Sequence, residues 1–499
     1  MSRCLGALAL ILCCEPAPAS PDDTAPLAFE VSYTPDVSPG PVSARVYVFL
    51  AEGHRPPREP RLGPDWFHPA PFFAVDAKDW KPGAPLRIDG HASGFPRSLS
   101  RLPAGPYSAQ AVIRLNRDSH RIGDGEGNAF SPAVCGTLDA RTGGIVSLKV
   151  NQVVSPRLFE ETHRIKLVDI PSPLLSRFHG RPVRLRAAVL LPKGDRAGKL
   201  PSLYIIPGFG GDHHMARLFM RHEPLAFGKE FVRIVLDPDC ATGHHAFADS
   251  ALNGPRGRAL LDELVPHIEA HFPVIPDADA RFLTGHSSGG WSSLWLQVAY
   301  PESFAGAWST SPDPVDFRDF SGIDLYAAGE NMFRDRGGER RLIARRGSTP
   351  ALFLDDFSKM EAVLGDGGQL GSFEAVFSPL DETGRPKRLW DRSTGAIDPD
   401  VASAWKAYDI RLILEQNWRT LGPKLKGKLH VYVGEKDTFF LEGAVRLLQA
   451  SLVKLGSDAQ VEIIPGKDHS TLLDKTFAGR LDRELSGAWS ERQSGPTKP

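Results

Sequence analysis

The sequence predicts an α/β fold class: a doubly wound, mostly parallel sheet, preceded by an all-β sandwich domain. From residue 200 onward, short apolar runs alternate with helical segments, as a parallel sheet covered on both faces requires. Residues 27–152 instead carry short β-rich runs divided by Pro/Gly turns. At 499 residues the chain is long enough for two or three domains.

The N-terminal region has its clearest β-rich runs at residues 29–33, 44–49, 107–113 and 145–150. Strands of this length and spacing, separated by turn residues, are typical of an immunoglobulin-like sandwich. We therefore predict a β-sandwich domain over residues 27–152.

The second domain is predicted over residues 158–486. Two strands, at 164–170 and 183–191, flank a Pro/Gly stretch and form an entry hairpin. Parallel strands then follow, and the segment 257–272 has the apolar spacing of a helix, which Pro266 should kink.

A pentapeptide, Gly285-His286-Ser287-Ser288-Gly289, follows the apolar run 281–284 and opens a helical segment. Strand, sharp turn and helix are the context of a nucleophile elbow, in which glycines stand where side chains would collide. Ser287 is therefore a candidate nucleophile.

A base and an orienting acid follow in the order that such a serine requires. Asp437 comes after the apolar strand 429–433, and His469 lies in the exit loop of the strand 460–464. Residues at the carboxyl ends of parallel strands meet in one crevice. Glu435 and Asp468 are rivals that we interpret as solvated neighbours.

A glycine-rich turn, Pro207-Gly-Phe-Gly-Gly211, follows the strand 203–206. A backbone N–H in such a turn can point at an oxyanion. The N–H of Ser288, at the start of the helix after the nucleophile, is a second candidate donor.

Together these motifs resemble the α/β-hydrolases, and within them the putative esterase family that includes esterase D, feruloyl esterases, enterochelin esterases and mycolyltransferases. The resemblance covers residues 160–485. It implies Ser287 as nucleophile, His469 as base, Asp437 as orienter, and the N–H groups of Phe209 and Ser288 as the oxyanion hole. Many relatives have His-Gly where this chain has Pro207-Gly208.

Gly210, His213, His214 and His286 are predicted to line the substrate pocket, because they adjoin the two turns. The histidine pairs at 213–214 and 244–245, with acids nearby, also raise a metal site. Adjacent histidines point apart on a strand or helix, and the sequence has no His-Glu-x-x-His pattern. We predict no metal and no cofactor.

An insertion over about residues 312–428 separates nucleophile from acid, and the strand–helix alternation breaks down within it. Its composition is polar and broken by glycines, with a helical segment at 401–421. We interpret it as a cap over the site. A surface elaboration or an oligomer contact is the alternative.

The two termini predict segments outside the fold. Residues 1–19 read as a signal peptide with Arg3, an apolar run and Ala17-Pro-Ala19, so the protein is expected to be secreted or periplasmic. A lipoprotein signal ending in Cys13-Cys14 is the alternative. Residues 490–499 are predicted to be a disordered tail. Cys135 and Cys240 remain in the mature chain, either as a bridge or as two buried thiols.

The charges are balanced, with 59 Lys plus Arg against 60 Asp plus Glu, which argues against a nucleic-acid partner. No other run approaches the length of a membrane span. The leading interpretation is an exported serine hydrolase acting on small-molecule or carbohydrate-linked carboxylic esters, of undetermined oligomeric state. A prolyl-oligopeptidase-like peptidase, an acyltransferase and a catalytically dead binding protein are the alternatives.

Overall fold

The computed structural model describes residues 26–194, 198–221 and 227–494. The predicted signal peptide and residues 495–499 lie outside the described residues. Within them, no helix is both long and apolar enough to cross a membrane.

The N-terminal region consists of strands in two sheets that enclose a shared apolar core. Its strands are β1 (Ala28–Tyr33), β2 (Val42–Glu52), β3 (Phe72–Trp80), β4 (Leu86–Ile88), β5 (Ser93–Phe95), β6 (Gly105–Ile113), β7 (Ala129–Phe130), β8 (Val134–Leu138), β9 (Ile145–Val150) and β10 (Gln152–Val153). One sheet has the order β4-β1-β9, the other β10-β7-β6-β2-β3-β5, with β8 paired to β6. All four β-rich runs are strands; their grouping as an immunoglobulin-like domain stays a prediction.

Both faces of the larger sheet are buried, as the two-residue period of β2 shows. Val46, Val48 and Leu50 enter the core between the two sheets. Tyr47 and Phe49 point the other way, into the core shared with the insertion. The Tyr47 hydroxyl donates to the Leu364 carbonyl at 2.6 Å. The N-terminal region is thus packed against the insertion.

The central sheet of the described chain has eight strands in the order β11-β12-β14-β13-β19-β20-β23-β24. They are β11 (Ile165–Pro171), β12 (Arg184–Leu190), β13 (Ser202–Ile206), β14 (Val232–Leu236), β19 (Arg281–His286), β20 (Gly306–Thr310), β23 (Leu429–Gly434) and β24 (Gln460–Ile464). Short hairpins lie between them: β15 (Asp239–Cys240) with β16 (Gly243–His244), β17 (Asp249–Ser250) with β18 (Gly254–Pro255), and β21 (Leu342–Arg346) with β22 (Thr349–Phe353). Strand β12 pairs antiparallel with β11 and β14, and the remaining pairs are parallel. This confirms the entry hairpin and the doubly wound sheet.

The helices of the described residues are α1 (Pro173–His179), α2 (Ala216–Arg221), α3 (Arg256–Ala259), α4 (Val265–His271), α5 (Ser288–Ala299), α6 (Leu354–Leu364), α7 (Gln369–Phe377), α8 (Pro399–Trp405), α9 (Ile410–Leu425), α10 (Leu441–Lys454) and α11 (Lys475–Ser494). Where a kink at Pro266 was expected, a π-helical turn over Leu260–Leu264 joins α3 to α4. Pro266 therefore lies in the first turn of α4, where its missing N–H costs little.

Two sequence predictions are wrong in their boundaries. The helical segment predicted at 401–421 is two helices, α8 and α9, because Asp409 caps a new helix by accepting from the Leu412 N–H at 2.9 Å. The tail predicted over residues 490–499 is wrong for residues 490–494, since α11 continues to Ser494 and buries Phe477, Leu481 and Leu485 along one face.

Candidate active site

The nucleophile elbow forms at the end of β19. Ser287 has φ 60° and ψ −125°, a conformation that is strained for a residue with a side chain. The two glycines explain why the turn can be so tight. A Cβ at Gly285 would lie 2.0 Å from the Gly289 carbonyl oxygen, and one at Gly289 would lie 1.9 Å from the Ile206 oxygen.

The candidate acid and base meet as expected from the parallel strands. Asp437 follows β23 and is fully buried, and His469 follows β24. His469 Nδ1 and Asp437 Oδ2 are 2.9 Å apart. The other carboxylate oxygen accepts from the Phe439 N–H at 2.9 Å. With Nδ1 engaged, Nε2 of His469 is the nitrogen left for proton transfer.

Ser287 and His469 line the same cavity of about 270 Å³. The hydroxyl of Ser287 does not donate to the imidazole in this conformation. It donates instead to Asp313 Oδ1, at 3.5 Å, the outer limit for a hydrogen bond. Such looseness is common in unliganded hydrolase sites, because catalytic hydrogen bonds tighten when substrate binds.

The two candidate oxyanion donors flank the nucleophile. Gly208 approaches so closely that a Cβ there would be 3.2 Å from the Ser287 Cβ, which brings the Phe209 turn beside the serine. Within the described chain, neither the Phe209 N–H nor the Ser288 N–H has a hydrogen-bond acceptor. Both donors are therefore available to a developing oxyanion.

The cavity is walled by aromatic rings from three separate parts of the chain. Six contribute: Trp66, Phe209, Phe320, Phe357, Phe373 and Phe439. Trp66 comes from the loop between β2 and β3, and its ring lies 5.7 Å from Phe209 and 4.9 Å from Phe357. The N-terminal region thus completes the site, which the sequence did not predict.

Asp313 is the second residue that sequence reasoning missed. It is 6% exposed, and burial raises the pKa of its carboxyl to about 6. Ser288 Oγ donates to Asp313 Oδ2 at 2.5 Å and Gln369 Nε2 donates to it at 3.3 Å. The available signal was its position just after β20, where a parallel strand ends beside the crevice.

Of the four residues predicted to line the pocket, only His286 does so. Its Nδ1 lies 3.1 Å from Thr310 Oγ1, and burial lowers its pKa to about 3, so the ring is neutral. Gly210, His213 and His214 line neighbouring cavities instead. The prediction was wrong for them because the chain turns after Phe209: Gly210 has φ 79°, and the Gly211 N–H donates back to the Gly208 carbonyl at 2.9 Å.

Among the described residues, the cluster that could bind a metal ion is formed by Asp212, His213 and His214, whose ligand atoms lie within 4.8 Å of one another. Asp212 Oδ2 accepts from Arg121 at 3.1 Å and from Arg157 at 2.9 Å. Two guanidinium groups on one carboxylate oxygen repel a cation, so these contacts disfavour a metal there.

The insertion covers the site, but not with the polar surface that its composition suggested. Most of its cavity-facing residues are apolar, among them Phe320, Ile343, Leu352, Phe357, Leu370 and Phe373, and the polar ones are Asp313, Ser321 and Gln369. It also holds the acid loop, since Arg345 Nε donates to the Asp437 carbonyl at 3.0 Å. Many of its charged side chains form ion pairs with one another, among them Arg340 with Asp355, Arg392 with Glu374 and Arg411 with Asp316, and none of these six residues lines the cavity.

Cys135 and Cys240 are both free thiols, so the alternative of an interdomain bridge is wrong. Cys240 is buried, as the other alternative predicted, whereas Cys135 is exposed on β8.

A family comparison decides the relationship. The model of the putative esterase family matches residues 182–471, more than half of the chain, including the elbow, Asp437 and His469. The chain belongs to the putative esterase family. Two curated relatives are Esterase MT1326 and Esterase Rv1288 of Mycobacterium tuberculosis. Each is 31% identical over 155 residues, which are 30% of this chain and 34% of the relative. The matched segment thus spans about a third of the length of these relatives.

Solved structures similar to this family member include the fluorophosphonate-binding serine hydrolase F of Staphylococcus aureus, at 15% identity. That match covers 65% of this chain and 99% of the other, with a TM-score of 0.38. An S-formylglutathione hydrolase from Agrobacterium tumefaciens matches at 14% identity over 65% and 94% of the two chains, also with a TM-score of 0.38.

Proposed function

We propose that the chain is an exported serine hydrolase that cleaves carboxylic esters through an acyl-enzyme. The observation that carries this proposal is the strained Ser287 at a cavity that His469, hydrogen-bonded to the buried Asp437, also lines. Membership of the putative esterase family supports ester rather than amide substrates. Small-molecule or carbohydrate-linked esters are the proposed substrate class.

In the proposed first half-reaction, Ser287 Oγ bonds to the ester carbonyl carbon while its proton passes to Nε2 of His469. The carbonyl electron pair moves onto oxygen, where the Phe209 and Ser288 N–H groups stabilise it. When the tetrahedral intermediate collapses, the alcohol leaves with the proton from His469.

In the second half-reaction, water gives a proton to His469 and bonds to the acyl carbon. Collapse releases the carboxylic acid and returns the proton to Ser287. Asp437 keeps the imidazole in the tautomer whose Nε2 can accept, and stabilises the imidazolium that forms twice in the cycle.

The accessory regions have proposed roles in the same site. The N-terminal β region would be an immunoglobulin-like domain whose β2–β3 loop, through Trp66, closes one side of the cavity. The insertion would be a cap that selects among substrates by the size of the apolar space it leaves. Secretion by the predicted signal peptide would deliver the enzyme outside the cytoplasm; a mature N-terminus near Ser20 tests this, and an exported protein that retains Met1 would contradict it.

A fluorophosphonate probe with a fluorescent group tests the proposed chemistry directly. It should label the purified protein at Ser287, as located by mass spectrometry of the peptide, and Ser287→Ala should remove the label. A panel of p-nitrophenyl esters should be hydrolysed by the unlabelled wild-type protein, and labelling of Ser287 should abolish that hydrolysis, because the probe blocks the attacking oxygen. Labelling at another residue, or ester hydrolysis that survives Ser287→Ala, would overturn the proposal.

A further inference from the structure

The cavity holds one feature that ester hydrolysis itself does not require. Asp313 is a buried carboxylate facing the nucleophile, in a cavity otherwise dominated by aromatic and aliphatic groups. Among the described residues that line this cavity, none is Lys or Arg. Burial of a carboxylate without a cationic partner is unfavourable, so its presence in a binding site calls for an explanation in terms of a ligand.

The two oxygens of Asp313 have different surroundings. Oδ2 accepts two hydrogen bonds from the protein, a short one from Ser288 Oγ at 2.5 Å and a longer one from Gln369 Nε2 at 3.3 Å. From the described part of the chain, Oδ1 has only the long contact with Ser287 Oγ, at 3.5 Å. The first set holds the carboxylate in a fixed orientation, and the second leaves one oxygen next to the reacting hydroxyl with capacity to accept a stronger donor.

The 3.5 Å between Ser287 Oγ and Asp313 Oδ1 suits a substrate that carries a hydrogen-bond donor on the carbon next to the scissile carbonyl. A reacting carbonyl carbon lies about 3–3.5 Å from the attacking oxygen. A nitrogen on the α-carbon is about 2.5 Å from that carbonyl carbon, from standard bond lengths and angles. A charge-assisted N–H···O bond adds about 2.8 Å. These lengths and the 3.5 Å between the two oxygens close into one ring, so a substrate can engage both at once.

We propose that Asp313 is a specificity-determining residue that binds an α-ammonium group, so that the preferred substrates are esters of α-amino acids with apolar or aromatic side chains. The inference rests on the proposed serine esterase function and names the acyl group that this site takes. Asp313 supplies the negative charge for the ammonium, and the rings of Trp66, Phe357 and Phe373 supply the apolar surface for the side chain.

A matched set of three substrates tests the inference: the ethyl esters of phenylalanine, 3-phenyllactic acid and 3-phenylpropionic acid. They share the aromatic group and the leaving alcohol, and differ only in carrying an ammonium, a hydroxyl or a hydrogen on the α-carbon. The wild-type protein at pH 7 should favour the phenylalanine ester over the phenylpropionate ester about 10- to 100-fold in kcat/KM, the range expected of one hydrogen bond to a charged group.

Asp313→Asn keeps the shape and an acceptor for Ser288 but removes the charge. It should abolish this preference by lowering kcat/KM for the phenylalanine ester about 10- to 100-fold more than for the phenylpropionate ester. Glu435→Gln is the matched control, because it removes the same charge from an exposed carboxylate beside the acid loop that does not line the cavity. Its substrate preference should equal that of the wild type.

Each other outcome has a distinct meaning. Equal rates of the wild type on all three esters would overturn the inference, as would an Asp313→Asn variant that slows every ester by the same factor, since that would mark Asp313 as a partner of the His469 imidazolium. Fluorophosphonate labelling of Ser287 without hydrolysis of any of the three esters would overturn the inference and leave the esterase proposal standing. Failure of labelling would overturn both.

If the variant does not fold, two inhibitors of the wild-type protein decide the question. These are 2-phenylethylboronic acid and its 1-amino derivative, which form a tetrahedral adduct with a reactive serine. The amino compound should bind at least about tenfold more tightly. Equal inhibition constants would contradict an ammonium site at Asp313.

Discussion

The two walls of the cavity are built by different physical means. The catalytic wall consists of short loops at the ends of β13, β19, β23 and β24, each supported by a buried parallel strand. The covering wall consists of the insertion and one N-terminal loop, where helices are held by buried charges and aromatic clusters rather than by a sheet. A residue of the catalytic wall is positioned by the strand that precedes it, which a local sequence pattern specifies. A residue of the covering wall is positioned by contacts with residues that are distant in sequence.

Buried charges in the covering wall show this dependence. The Arg411 guanidinium bonds both oxygens of Asp316, at 3.0 and 3.1 Å, and Asp409 Oδ2 at 3.3 Å. Glu361 on α6 accepts from the N–H groups of Leu370 and Gly371, at 3.0 and 3.1 Å, in the first turn of α7. Helix α7 begins with Gln369, whose amide reaches Asp313. These interactions place the cap over Ser287.

The largest effects are expected in the catalytic wall. Ser287→Ala and His469→Ala should each reduce kcat on a p-nitrophenyl ester by about 10⁴- to 10⁶-fold, and the double variant should be little worse because the residues act as a unit. Asp437→Asn should lose about 10⁴-fold, since it removes the acceptor that selects the imidazole tautomer. Steady-state kinetics on folded variants measures each. Glu435→Gln is the control and should keep wild-type rates.

In the covering wall the largest expected effect is on stability. Arg411→Met leaves Asp316 and Asp409 buried without this guanidinium and should lower the free energy of unfolding by about 3–5 kcal/mol. Urea unfolding followed by circular dichroism measures it. Arg336→Met, which removes an exposed partner of Glu330, should cost no more than about 1 kcal/mol. Equal effects of the two substitutions would mean that buried charges do not organise this wall.

Glu361 predicts a pH dependence of stability. Burial raises the pKa of its carboxyl from 4.5 to about 7. Between these values the folded protein holds a proton that the unfolded chain releases, so stability falls as the pH rises, and a cost of about 3 kcal/mol is fully present above pH 7.

Glu361→Gln stays neutral and should escape this cost. The free energy of unfolding of the variant minus that of the wild type should therefore increase by about 3 kcal/mol between pH 4 and pH 8, because only the wild type loses stability. Urea unfolding at both pH values measures this difference. Glu382→Gln, at an exposed position of the insertion, should show no such change. A constant difference between Glu361→Gln and the wild type would refute the prediction.

The smallest effect is expected from the N-terminal loop. Trp66→Ala removes one ring of the cavity and should raise KM for an ester with a bulky aromatic acyl group about tenfold, because apolar contact area is lost. Hydrolysis of an acetyl ester should be unchanged. Phe67→Ala is the matched control, since that ring lies under Arg346 and does not line the cavity. A proportional loss on both esters would show that Trp66 supports the catalytic wall instead.

Deletion of most of the insertion, residues 320–395, would not distinguish the contribution of the covering wall from that of the catalytic wall. Residues 320–395 include Trp390, which is 1% exposed, and helix α6, which contacts the buried face of the N-terminal sheet. Their excision would expose a large apolar surface on both regions, so loss of activity would report unfolding rather than loss of the cap. Point substitutions at the cavity are the sharper probe.

The sequence by itself determined the central sheet, the elbow and the three candidate triad residues. Apolar runs of four to six residues mark buried parallel strands, and Gly285 and Gly289 are required by contacts within the turn or with the adjoining strand. Chain order and strand ends then indicated Asp437 and His469. These are local signals with a short physical range, so the amino-acid sequence alone carries them.

Only the tertiary structure decided the substrate side of the cavity. Trp66 meets Phe209 and Phe357 across 143 and 291 sequence positions. Asp313 is a buried carboxylate where α7, which begins with Gln369, packs against the elbow. The insertion looked polar because its arginines and acids are abundant, yet many of these pair with each other and release the apolar residues to face Ser287. Burial and pairing depend on which distant segments meet, and composition does not encode that meeting.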